Sequence, residues 1–391
     1  MRKLIIAACL ILTVACKKAE VGKTIACNDT FSDSSYKHPK NSTYRAILEK
    51  YRKKGLPGIA VLIEDENGVW VGSTGKSDLD QSIDFRPCTV SKVASITKMM
   101  FGAAVMQLRE QGVVNLDDKI SQWLDPEIIE KVENADKATI RDLMRHSTGI
   151  YDIIADSDFY LSVLNNPNKN WAGKDLIKFA YDKPAVFAYV PNATSGSYSN
   201  TNTLLLSMCI EKITGKQHQE WMHKLVIDKL GLTNTYYAHH DALPAYTAQG
   251  YYDLYNNGTI VNVSNLVTGS GNGYGGVYSN VIDLHKFMRA LFIDKTLVNQ
   301  QSLDIMQTFI GDDERTNLGM GLLQQYKHLN LGHMGTGHSG RDLGYSGDAH
   351  YFPTKNNRIF INLVNYGTNG NTPLRQAFYD LRDEFVTELL K

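Results

Sequence analysis

Apolar positions recur every three to four residues over much of this chain, a spacing that predicts amphipathic or buried helices. These helical patterns lie at residues 41–54, 90–108, 138–145, 203–213, 217–230, 280–292 and 374–390. Residues 151–200 hold many aromatic side chains without a regular period and are expected to form loops. The pattern therefore predicts a chain whose middle is mainly helical.

A second pattern, with apolar runs and a period of two, predicts strands at both ends of the chain. These runs lie at residues 58–64, 69–71, 322–326, 328–332, 348–352 and 358–365. Two tight turns connect strands, Asn67-Gly68 after the first run and Asn356-Asn357 before the last, because Asn and Gly tolerate positive φ. Both pairs predict antiparallel connections.

The order of these elements predicts the fold class. Strands at the two ends with helices between them indicate an α/β (α+β) fold, in which one antiparallel sheet is flanked by helices and carries an inserted all-helical lobe. We expect a single domain at residues 41–391, with its sheet lobe at about 41–95 and 315–391 and its helical lobe at about 96–314. Pockets favour such junctions, so we expect an active site between the lobes.

Residues 1–40 have the composition of an export signal followed by a tether. Residues 1–15 combine two basic residues with an apolar run of about 11 residues, about half the length that spans a bilayer. The run ends in Thr-Val-Ala-Cys, which resembles a bacterial lipobox and predicts a lipoprotein-type signal peptide with lipidation at Cys16. Residues 16–40 are polar and are expected to form a flexible tether. We therefore expect an exported protein in the periplasm or outer envelope, attached to the membrane only through that lipid.

Composition and charge argue against a nucleic-acid-binding function. The 391 residues include 41 Lys and Arg and 41 Asp and Glu, so the formal net charge is zero. The sequence has no basic patch interleaved with aromatic residues, which is the usual mark of a nucleic-acid surface. With 21 Tyr and 13 Phe, the chain is better suited to a small polar or amphipathic ligand.

The cysteines and histidines predict neither a zinc site nor another cofactor. No Cys-x-x-Cys motif occurs in the sequence. Beyond the signal region, Cys27, Cys88 and Cys209 leave room for one disulfide, whose pairing the sequence does not define. Three histidines near the C-terminal end recur every five residues, a spacing that alternates between the two faces of a strand. We therefore expect no metal and no cofactor.

Ser95 and Lys98 have the spacing of a nucleophile and its base. They lie three residues apart at the start of an apolar helix and therefore share one face within one turn. A serine needs an adjacent base, and a lysine against apolar packing loses its charge easily enough to serve. The helix N-terminus adds N–H groups where an oxyanion would form. Two other Ser-x-x-Lys copies, at residues 34–37 and 73–76, have no helix behind them. The alternative is a helix start with a snorkelling lysine.

Two later motifs extend this one. A Tyr-Ser-Asn motif at residues 198–200 and a His-Ser-Gly motif at 338–340 follow in an order that resembles the serine β-lactamase and penicillin-binding-protein superfamily. Three longer segments strengthen the resemblance, which covers roughly residues 45–390: VASITKMMFGAAVMQLREQGVVNLDDKISQWL, TIRDLMRHSTGIYD and YSNTNTLLLSMCIEKITG. The resemblance is closest to the secreted D-alanyl-D-alanine carboxypeptidases that carry His in the third motif.

Other copies of the second and third motifs compete with these two. Tyr255 and Tyr278 each begin a Tyr-x-Asn, and His333 begins a His-x-Gly. Flanking sequence favours Tyr198 and His338, because YSNTNTLLL and GHSGRDLGYS resemble the superfamily's pattern around its motifs. The choice between copies therefore rests on resemblance.

The resemblance implies a role for each motif residue. Ser95 Oγ attacks a carbonyl and becomes acylated, while Lys98, Tyr198 or both relay its proton. The sequence does not decide which of the two is the general base. Asn200 is expected to hold Lys98 and to donate to the substrate amide. The backbone N–H groups of Ser95 and Arg341 are expected to form the oxyanion hole.

The third motif departs from the lysine that the superfamily usually carries. An imidazole with an unperturbed pKa of about 6.5 is mostly neutral at pH 7, so His338 offers little fixed charge to a substrate carboxylate. We expect carboxylate binding to depend on Ser339 and Arg341, with Gly340 completing the substrate-binding motif. This departure weakens the β-lactamase interpretation and leaves peptidase and esterase functions open.

Our first hypothesis is a cell-envelope serine hydrolase acting through an acyl-enzyme, a D-Ala-D-Ala carboxypeptidase on peptidoglycan peptides. The alternative of the same fold is a carboxylesterase or a class C-like β-lactamase, so the expected partner is a small peptide, ester or β-lactam. A hypothesis of a different class is a non-catalytic receptor for penicillin or peptide. The presence of a complete nucleophile and base set argues against a receptor, because binding alone needs no activated nucleophile.

Overall fold

The computed structural model describes residues 22–28, 33–167, 169–269, 271–367 and 370–391. The predicted signal peptide at residues 1–15 and the predicted lipidation site at Cys16 lie outside these residues. In the part of the chain that is described, no helix is both long enough and apolar enough to cross a membrane.

The helical segments occupy both ends and most of the middle of the chain. The α-helices, α1 to α11 in chain order, are Asn41–Lys53, Thr97–Glu110, Pro126–Lys131, Ile140–Arg145, Ser157–Asn165, Gly173–Leu176, Asn200–Thr214, His218–Met222, Val281–Met288, Gln300–Met306 and Pro373–Leu390. Short 3-10 turns lie at Ser35–Lys37, Ala94–Ile96, Ile120–Gln122, Ile153–Ala155, Ile177–Ala180 and Lys327–Leu329, and π-helical turns follow α8 and α9 at His223–Ile227 and Arg289–Ile293.

The strands concentrate at the two ends of the chain, as the period of two predicts. Strands β1 to β14 are Gly58–Asp65, Gly68–Asp78, Ile83–Asp84, Ser91–Lys92, Tyr236–Tyr237, Tyr251–Tyr252, Val261–Asn262, Val277–Ser279, Ile310–Gly311, Asn317–Leu318, Leu323–Gln325, Gly335–Asp342, Tyr345–Phe352 and Arg358–Val364. Nine of them form, within the described residues, one sheet of order β3-β2-β1-β14-β13-β12-β11-β10-β9. Every pairing in that sheet is antiparallel.

Both faces of this sheet are buried, because alternate side chains of its central strands enter two different cores. In β1, Ile59, Val61 and Ile63 pack with α1 and α11. Ala60 and Leu62 of the same strand join the core around α2 on the other face. The sheet is therefore a middle layer, with the terminal helices on one side and the inserted helices on the other.

Strand β12 has a partly open edge that faces the inserted lobe. Its first three residues, Gly335 to Gly337, pair with β11. From His338 onward, β12 pairs with β13 on one side only, within the described residues. A Cβ on Gly340 would lie 2.1 Å from the carbonyl oxygen of Val93, so glycine permits the close approach of this strand to the start of α2. This approach brings two of the predicted motifs together.

Part of the segment expected to be a flexible tether instead packs on the domain. Thr24 is buried, and its hydroxyl donates to the backbone carbonyl of Thr247. A disulfide joins Cys27 to Cys88, the pairing that the sequence left undefined. The polar composition of residues 16–40 did not indicate these contacts, because they depend on partners far away in the sequence.

The structure also differs from the expected pattern of strands. The strand expected at residues 328–332 is wrong, because Tyr326 and Asn330 adopt positive φ values of 71° and 54° on either side of a 3-10 turn. Strand β12, which the period-two pattern missed, begins just after this turn. The inserted lobe is mostly helical but also contains short strands, among them β5 and β8, which pair with each other.

Candidate active site

Ser95 lies in the 3-10 turn Ala94–Ile96 that leads directly into α2. Ala94 adopts a φ of +49°, which is uncommon for a residue other than glycine. Ser95 is partly exposed and lines a cavity of about 320 Å³ between the sheet and the inserted helices. The nucleophile candidate is therefore accessible at the junction where the sequence predicted an active site.

Lys98 extends from the first turn of α2 toward Ser95. Its Nζ lies 3.0 Å from Ser95 Oγ, 2.7 Å from Asn200 Oδ1 and 2.6 Å from the backbone carbonyl oxygen of Tyr274. Burial lowers the pKa of Lys98 to about 7, and the carboxylates of Asp152 and Asp342 oppose this effect. The neutral amine is therefore well populated at neutral pH.

Tyr198 places its ring between Lys98 and two histidines. Nζ of Lys98 lies 5.1 Å from the ring centroid, His146 stacks on the ring at 4.5 Å, and the His338 ring lies 5.9 Å away. Burial raises the pKa of Tyr198 above its ordinary value, and the neighbouring Ser95 hydroxyl opposes the shift. The phenol therefore keeps its proton at neutral pH and can donate it.

Asn200 connects Lys98 to a buried carboxylate that the sequence did not single out. While its Oδ1 accepts from Lys98, its Nδ2 donates to Asp152 at 3.0 Å and its backbone N–H donates to the same side chain at 3.1 Å. Burial raises the pKa of Asp152 above its usual range. The contacts with Lys98 and Asp152 thus fix the orientation of the Asn200 side-chain amide, with its oxygen directed at Lys98.

His146 is a second component that the sequence did not single out. It ends α4 in the left-handed conformation, with a φ of 56°, and is buried. Burial lowers the pKa of His146 to about 3, and Lys98 contributes to this effect. Because this ring is neutral, it packs against Tyr198 without adding a positive charge beside Lys98.

His338 lies on β12 and is almost completely buried. Its Nδ1 is 2.6 Å from the backbone carbonyl oxygen of Ser339, which can only accept, so Nδ1 carries the proton. Burial lowers the pKa of His338 well below its ordinary value, and the charge of Lys98 adds to this effect. The ring is therefore neutral, with a lone pair on Nε2.

Ser339 faces the opposite side of β12 from His338, toward α11. Its Oγ is 2.6 Å from Asp348 Oδ1 and 2.5 Å from Gln325 Oε1. Asp348 is fully buried and forms an ion pair with Arg382 of α11 at 3.3 Å. Burial raises the pKa of Asp348, and the guanidinium of Arg382 opposes the shift. The hydroxyl is therefore part of an internal network.

Arg341 also faces α11 and borders the cavity. Its guanidinium lies 4.6 Å from the ring centroid of Tyr379 and 5.6 Å from that of Phe378. No carboxylate of the described residues forms an ion pair with it. Arg341 is therefore a cation held by aromatic stacking at the edge of the site.

The cavity joins these groups to an aromatic pocket. Ser95, Tyr198, Asn200 and two third-motif residues, His338 and Ser339, line it. An apolar and aromatic group formed by Ile154, Phe159, Tyr160 and Tyr274 lines the same cavity. Arg375 and Tyr379 of α11 complete its outer wall. The structure thus brings together the residues predicted from three motifs that are far apart in the sequence.

The competing motif copies lie elsewhere. Tyr278 is buried in β8 beside Lys92, and Tyr255 is exposed on the surface. His333 is bound to Thr354 at the other end of β12. None of these three side chains lines the cavity that contains Ser95.

The arrangement provides a hydroxyl, an amine that titrates near neutrality and a protonated phenol around one cavity. Gly340 lies against the nucleophile, since a Cβ there would be 3.2 Å from the Ser95 backbone nitrogen. These three groups can support nucleophilic attack on a carbonyl carbon, in which one proton leaves the attacking hydroxyl and another is given to the leaving group. Within the described residues, no group of three or more His, Cys, Asp or Glu side chains is arranged to hold a metal ion.

Comparison with known proteins identifies the family of this chain. A family model described as Beta-lactamase matches residues 44–382. Among curated proteins, the chain is similar to a teichoic acid D-alanine hydrolase from Staphylococcus aureus, with 26% identity over 251 residues that cover 64% of this chain and 57% of that protein. The chain spans about half the length of the curated relatives it matches, between 41% and 57%.

Solved structures show the same fold. A D-stereospecific amidohydrolase from Streptomyces sp. is 26% identical, with a TM-score of 0.74 over 86% of this chain and 97% of that chain. A penicillin binding protein from Bacillus halodurans, 24% identical, has a TM-score of 0.70 over 86% of this chain and 98% of that chain. The predicted fold class, an antiparallel sheet flanked by helices, is therefore confirmed.

Proposed function

The chain belongs to the beta-lactamase family of serine hydrolases, and on that premise we propose that it hydrolyses D-alanyl amides, peptides or esters through an acyl-enzyme on Ser95. The observation that carries the proposal is the position of Lys98, whose Nζ lies 3.0 Å from Ser95 Oγ. Its two other partners, Asn200 Oδ1 and the Tyr274 carbonyl oxygen, can only accept hydrogen bonds. A neutral amine that donates to both keeps its lone pair for the serine proton.

The proposed reaction has two halves. Ser95 Oγ bonds to the substrate carbonyl carbon while its proton passes to Lys98. The backbone N–H groups of Ser95 and Arg341 are proposed to hold the oxyanion. Tyr198 then protonates the leaving nitrogen or oxygen as its bond to the carbonyl carbon breaks, and recovers a proton from Lys98. In the second half, the oxygen of a water molecule bonds to the acyl carbon and the bond from that carbon to Ser95 Oγ breaks. The water proton passes through the same groups to Ser95 Oγ, and the acid is released.

The D-alanyl part of the proposal rests on the similar proteins. The teichoic acid D-alanine hydrolase and the D-stereospecific amidohydrolase are both named for D-configured substrates. The aromatic side chains of Phe159, Tyr160 and Tyr274 line the cavity and can pack against the side chain of the acyl group. Such packing would favour one configuration at the Cα of the acyl group. These features support a D-aminoacyl group in the acyl position.

D-Ala-D-Ala carboxypeptidase activity on peptidoglycan peptides is the narrower form of this proposal, and it requires a cation for the carboxylate of the leaving group. The guanidinium of Arg341 lines the cavity and has no carboxylate partner among the described residues, so it can meet the carboxylate of a leaving D-alanine. Carboxylesterase and class C-like β-lactamase activities share the same acyl-enzyme. A non-catalytic receptor is disfavoured because the amine and hydroxyl are already at hydrogen-bonding distance.

The proposed function also requires export of the protein to the cell envelope. We propose that the precursor is exported by the signal at residues 1–15 and retained at the cell envelope by a lipid on Cys16. Substrates of the peptidoglycan or of other envelope polymers would then be within reach of a domain at residues 41–391. Mass spectrometry of the membrane fraction, with Cys16→Ala as the comparison, tests this step.

The acyl-enzyme is tested by intact-mass spectrometry. The protein is mixed with diacetyl-Lys-D-Ala-D-Ala, nitrocefin and a p-nitrophenyl ester, and we expect a covalent adduct that matches the acyl group. Ser95→Ala should abolish this adduct and also labelling by a fluorescent penicillin or a fluorophosphonate. Labelling that persists in Ser95→Ala would refute Ser95 as the nucleophile.

A further inference from the structure

We propose that the leaving-group side of the cavity, formed by Asp312, Gln325, His338 and Ser339, binds a hydrogen-bond-donating group and discriminates against a free carboxylate. Substrates of this class carry an amine, a carboxamide or a polyol hydroxyl on the leaving group. Asp348 and Gln325 are the positioning residues that hold the Ser339 proton and set this preference. The inference rests on the proposed hydrolase function and specifies its substrate class.

The first step is a count of protons at Ser339. Its hydroxyl has one proton and two close neighbours, Asp348 Oδ1 at 2.6 Å and Gln325 Oε1 at 2.5 Å. If Asp348 is ionised, the Ser339 proton goes to one of these two acceptors. If Asp348 is protonated, it donates to Ser339 Oγ, and the Ser339 proton goes to Gln325. In both cases the hydroxyl has no proton for the cavity and can offer only a lone pair.

The second step concerns His338. At this position the superfamily usually carries a lysine, which offers the substrate a hydrogen-bond donor and a positive charge. The Nδ1 proton of His338 is committed to the backbone carbonyl oxygen of Ser339. The neutral ring therefore presents Nε2 as an acceptor. The third motif thus presents acceptors at both of its polar side chains, the reverse of what a carboxylate requires.

Asp312 adds a negative charge to the same wall. It lines the cavity, and no cation of the described residues forms an ion pair with it. Its carboxylate accepts a hydrogen bond from the backbone N–H of Tyr198, which places it beside the proposed donor to the leaving group. Burial and the neighbouring Asp313 raise the pKa of Asp312 to about 6, so it is mostly ionised at pH 7. An anionic leaving group would meet an uncompensated carboxylate here.

The cations of the cavity lie where it borders α11. Arg341 and Arg375 both lie against the ring of Tyr379 on α11, at 4.6 and 5.5 Å from its centroid. Asp312 and Gln325 belong to the strands and loops β9 to β11. The acceptor groups and the two cations make opposite demands on a leaving group, so the preference between a carboxylate and its carboxamide measures which of the two sets governs binding.

The test compares one peptide in two forms, diacetyl-Lys-D-Ala-D-Ala and the same peptide with a C-terminal carboxamide. Dissociation constants are measured by calorimetry with Ser95→Ala, and kcat/KM with the wild type. We expect the carboxamide to bind Ser95→Ala at least about tenfold more tightly, the factor of a single charge-assisted hydrogen bond. Binding of neither form, or tighter binding of the carboxylate, overturns the inference. If the wild type hydrolyses neither form, the proposed function fails, while the binding ratio still decides the inference.

The double variant Asp348→Asn/Gln325→Met tests the positioning role. The asparagine amide can donate to Ser339 Oγ and the methionine removes the second acceptor, so the Ser339 proton is released toward the cavity and the carboxamide preference should fall about tenfold or more. Asp348→Asn alone is the matched control, because Gln325 still takes the proton and the preference should persist. A merely structural role would weaken both forms alike and leave their ratio unchanged in the double variant, which would overturn the role of this pair. Because Asp348→Asn also leaves Arg382 without its partner, thermal unfolding of both variants is measured first. Asp312→Asn, on the partly exposed cavity wall, provides the second variant and should lower the same ratio.

Discussion

Asp152 accepts two hydrogen bonds from Asn200, one from the side-chain amide at 3.0 Å and one from the backbone N–H at 3.1 Å. This double contact fixes the amide so that its oxygen meets Lys98 at 2.7 Å. The negative charge of Asp152 also raises the pKa of Lys98, against the larger effect of burial. A carboxylate that does not touch the nucleophile thus controls both the position and the protonation of its proposed base.

The first prediction concerns the pH dependence of the wild-type enzyme. If neutral Lys98 is the base, kcat/KM requires its deprotonated form and rises with pH through the pKa of about 7. Below that value, kcat/KM should fall about tenfold for each pH unit. The measurement is a pH profile with an uncharged D-alanyl ester, which removes substrate titration. A flat profile between pH 5 and 8 would contradict the role of Lys98.

The second prediction is that Asp152→Asn moves the acidic limb of this profile to lower pH. Removing the carboxylate removes an interaction that raises the pKa of Lys98, so the amine becomes neutral at lower pH. The asparagine still accepts from the Asn200 backbone N–H, which limits the structural change. A lower kcat at every pH without a displaced limb would indicate that Asp152 acts only by orienting Asn200.

The local parts of the site were predictable from the sequence. Ser95 and Lys98 are three residues apart, and a helix places such residues on one face whatever the tertiary structure. Asn356 and Asn357 both adopt positive φ, at 51° and 59°, as the turn prediction requires. These features depend on short segments, so their sequence pattern was sufficient.

The long-range parts were not predictable in the same way. Asp152 meets Asn200 across 48 residues, and although its segment TIRDLMRHSTGIYD resembles the superfamily, nothing in that segment distinguished Asp152 from its neighbours. The contact between Ser339 and Asp348 depends on the register of β12 and β13, which alternation alone does not define. Strand β12 itself holds three glycines, which weaken the alternating apolar signal. Resemblance, rather than periodicity, identified its motif.

The third prediction is that His338→Lys increases the preference for anionic substrates over neutral esters. A lysine replaces a neutral acceptor with a donor and a fixed charge, and one charge-assisted hydrogen bond corresponds to about a tenfold change in kcat/KM. The ratio of kcat/KM for diacetyl-Lys-D-Ala-D-Ala and for a p-nitrophenyl ester measures this effect. His338→Gln is the matched control, since it is polar but uncharged. An unchanged ratio in His338→Lys would show that this position does not determine carboxylate binding.

The fourth prediction is that the Cys27–Cys88 disulfide stabilises the domain. It closes a loop with a sequence separation of 61 residues, and the loop-closure estimate for such a cross-link is about 4 kcal/mol in the free energy of unfolding. The double variant Cys27→Ala/Cys88→Ala should therefore unfold at a lower urea concentration than the oxidised wild type. The packed segment at residues 22–28 should also become more sensitive to proteolysis, because Thr24 and its neighbours lose their covalent link.

The control for this comparison is the wild type in a reducing agent, which should approach the double variant in its urea midpoint. Cys209 is a free, buried thiol, so Cys209→Ala separates the effect of losing a thiol from the effect of losing the cross-link. Because Cys209→Ala keeps the Cys27–Cys88 disulfide, its urea midpoint should still shift when reductant is added. If the reduced and oxidised wild type unfold at the same urea concentration, with reduction verified by mass, the cross-link contributes nothing to stability and the segment at residues 22–28 is held by its hydrogen bonds alone.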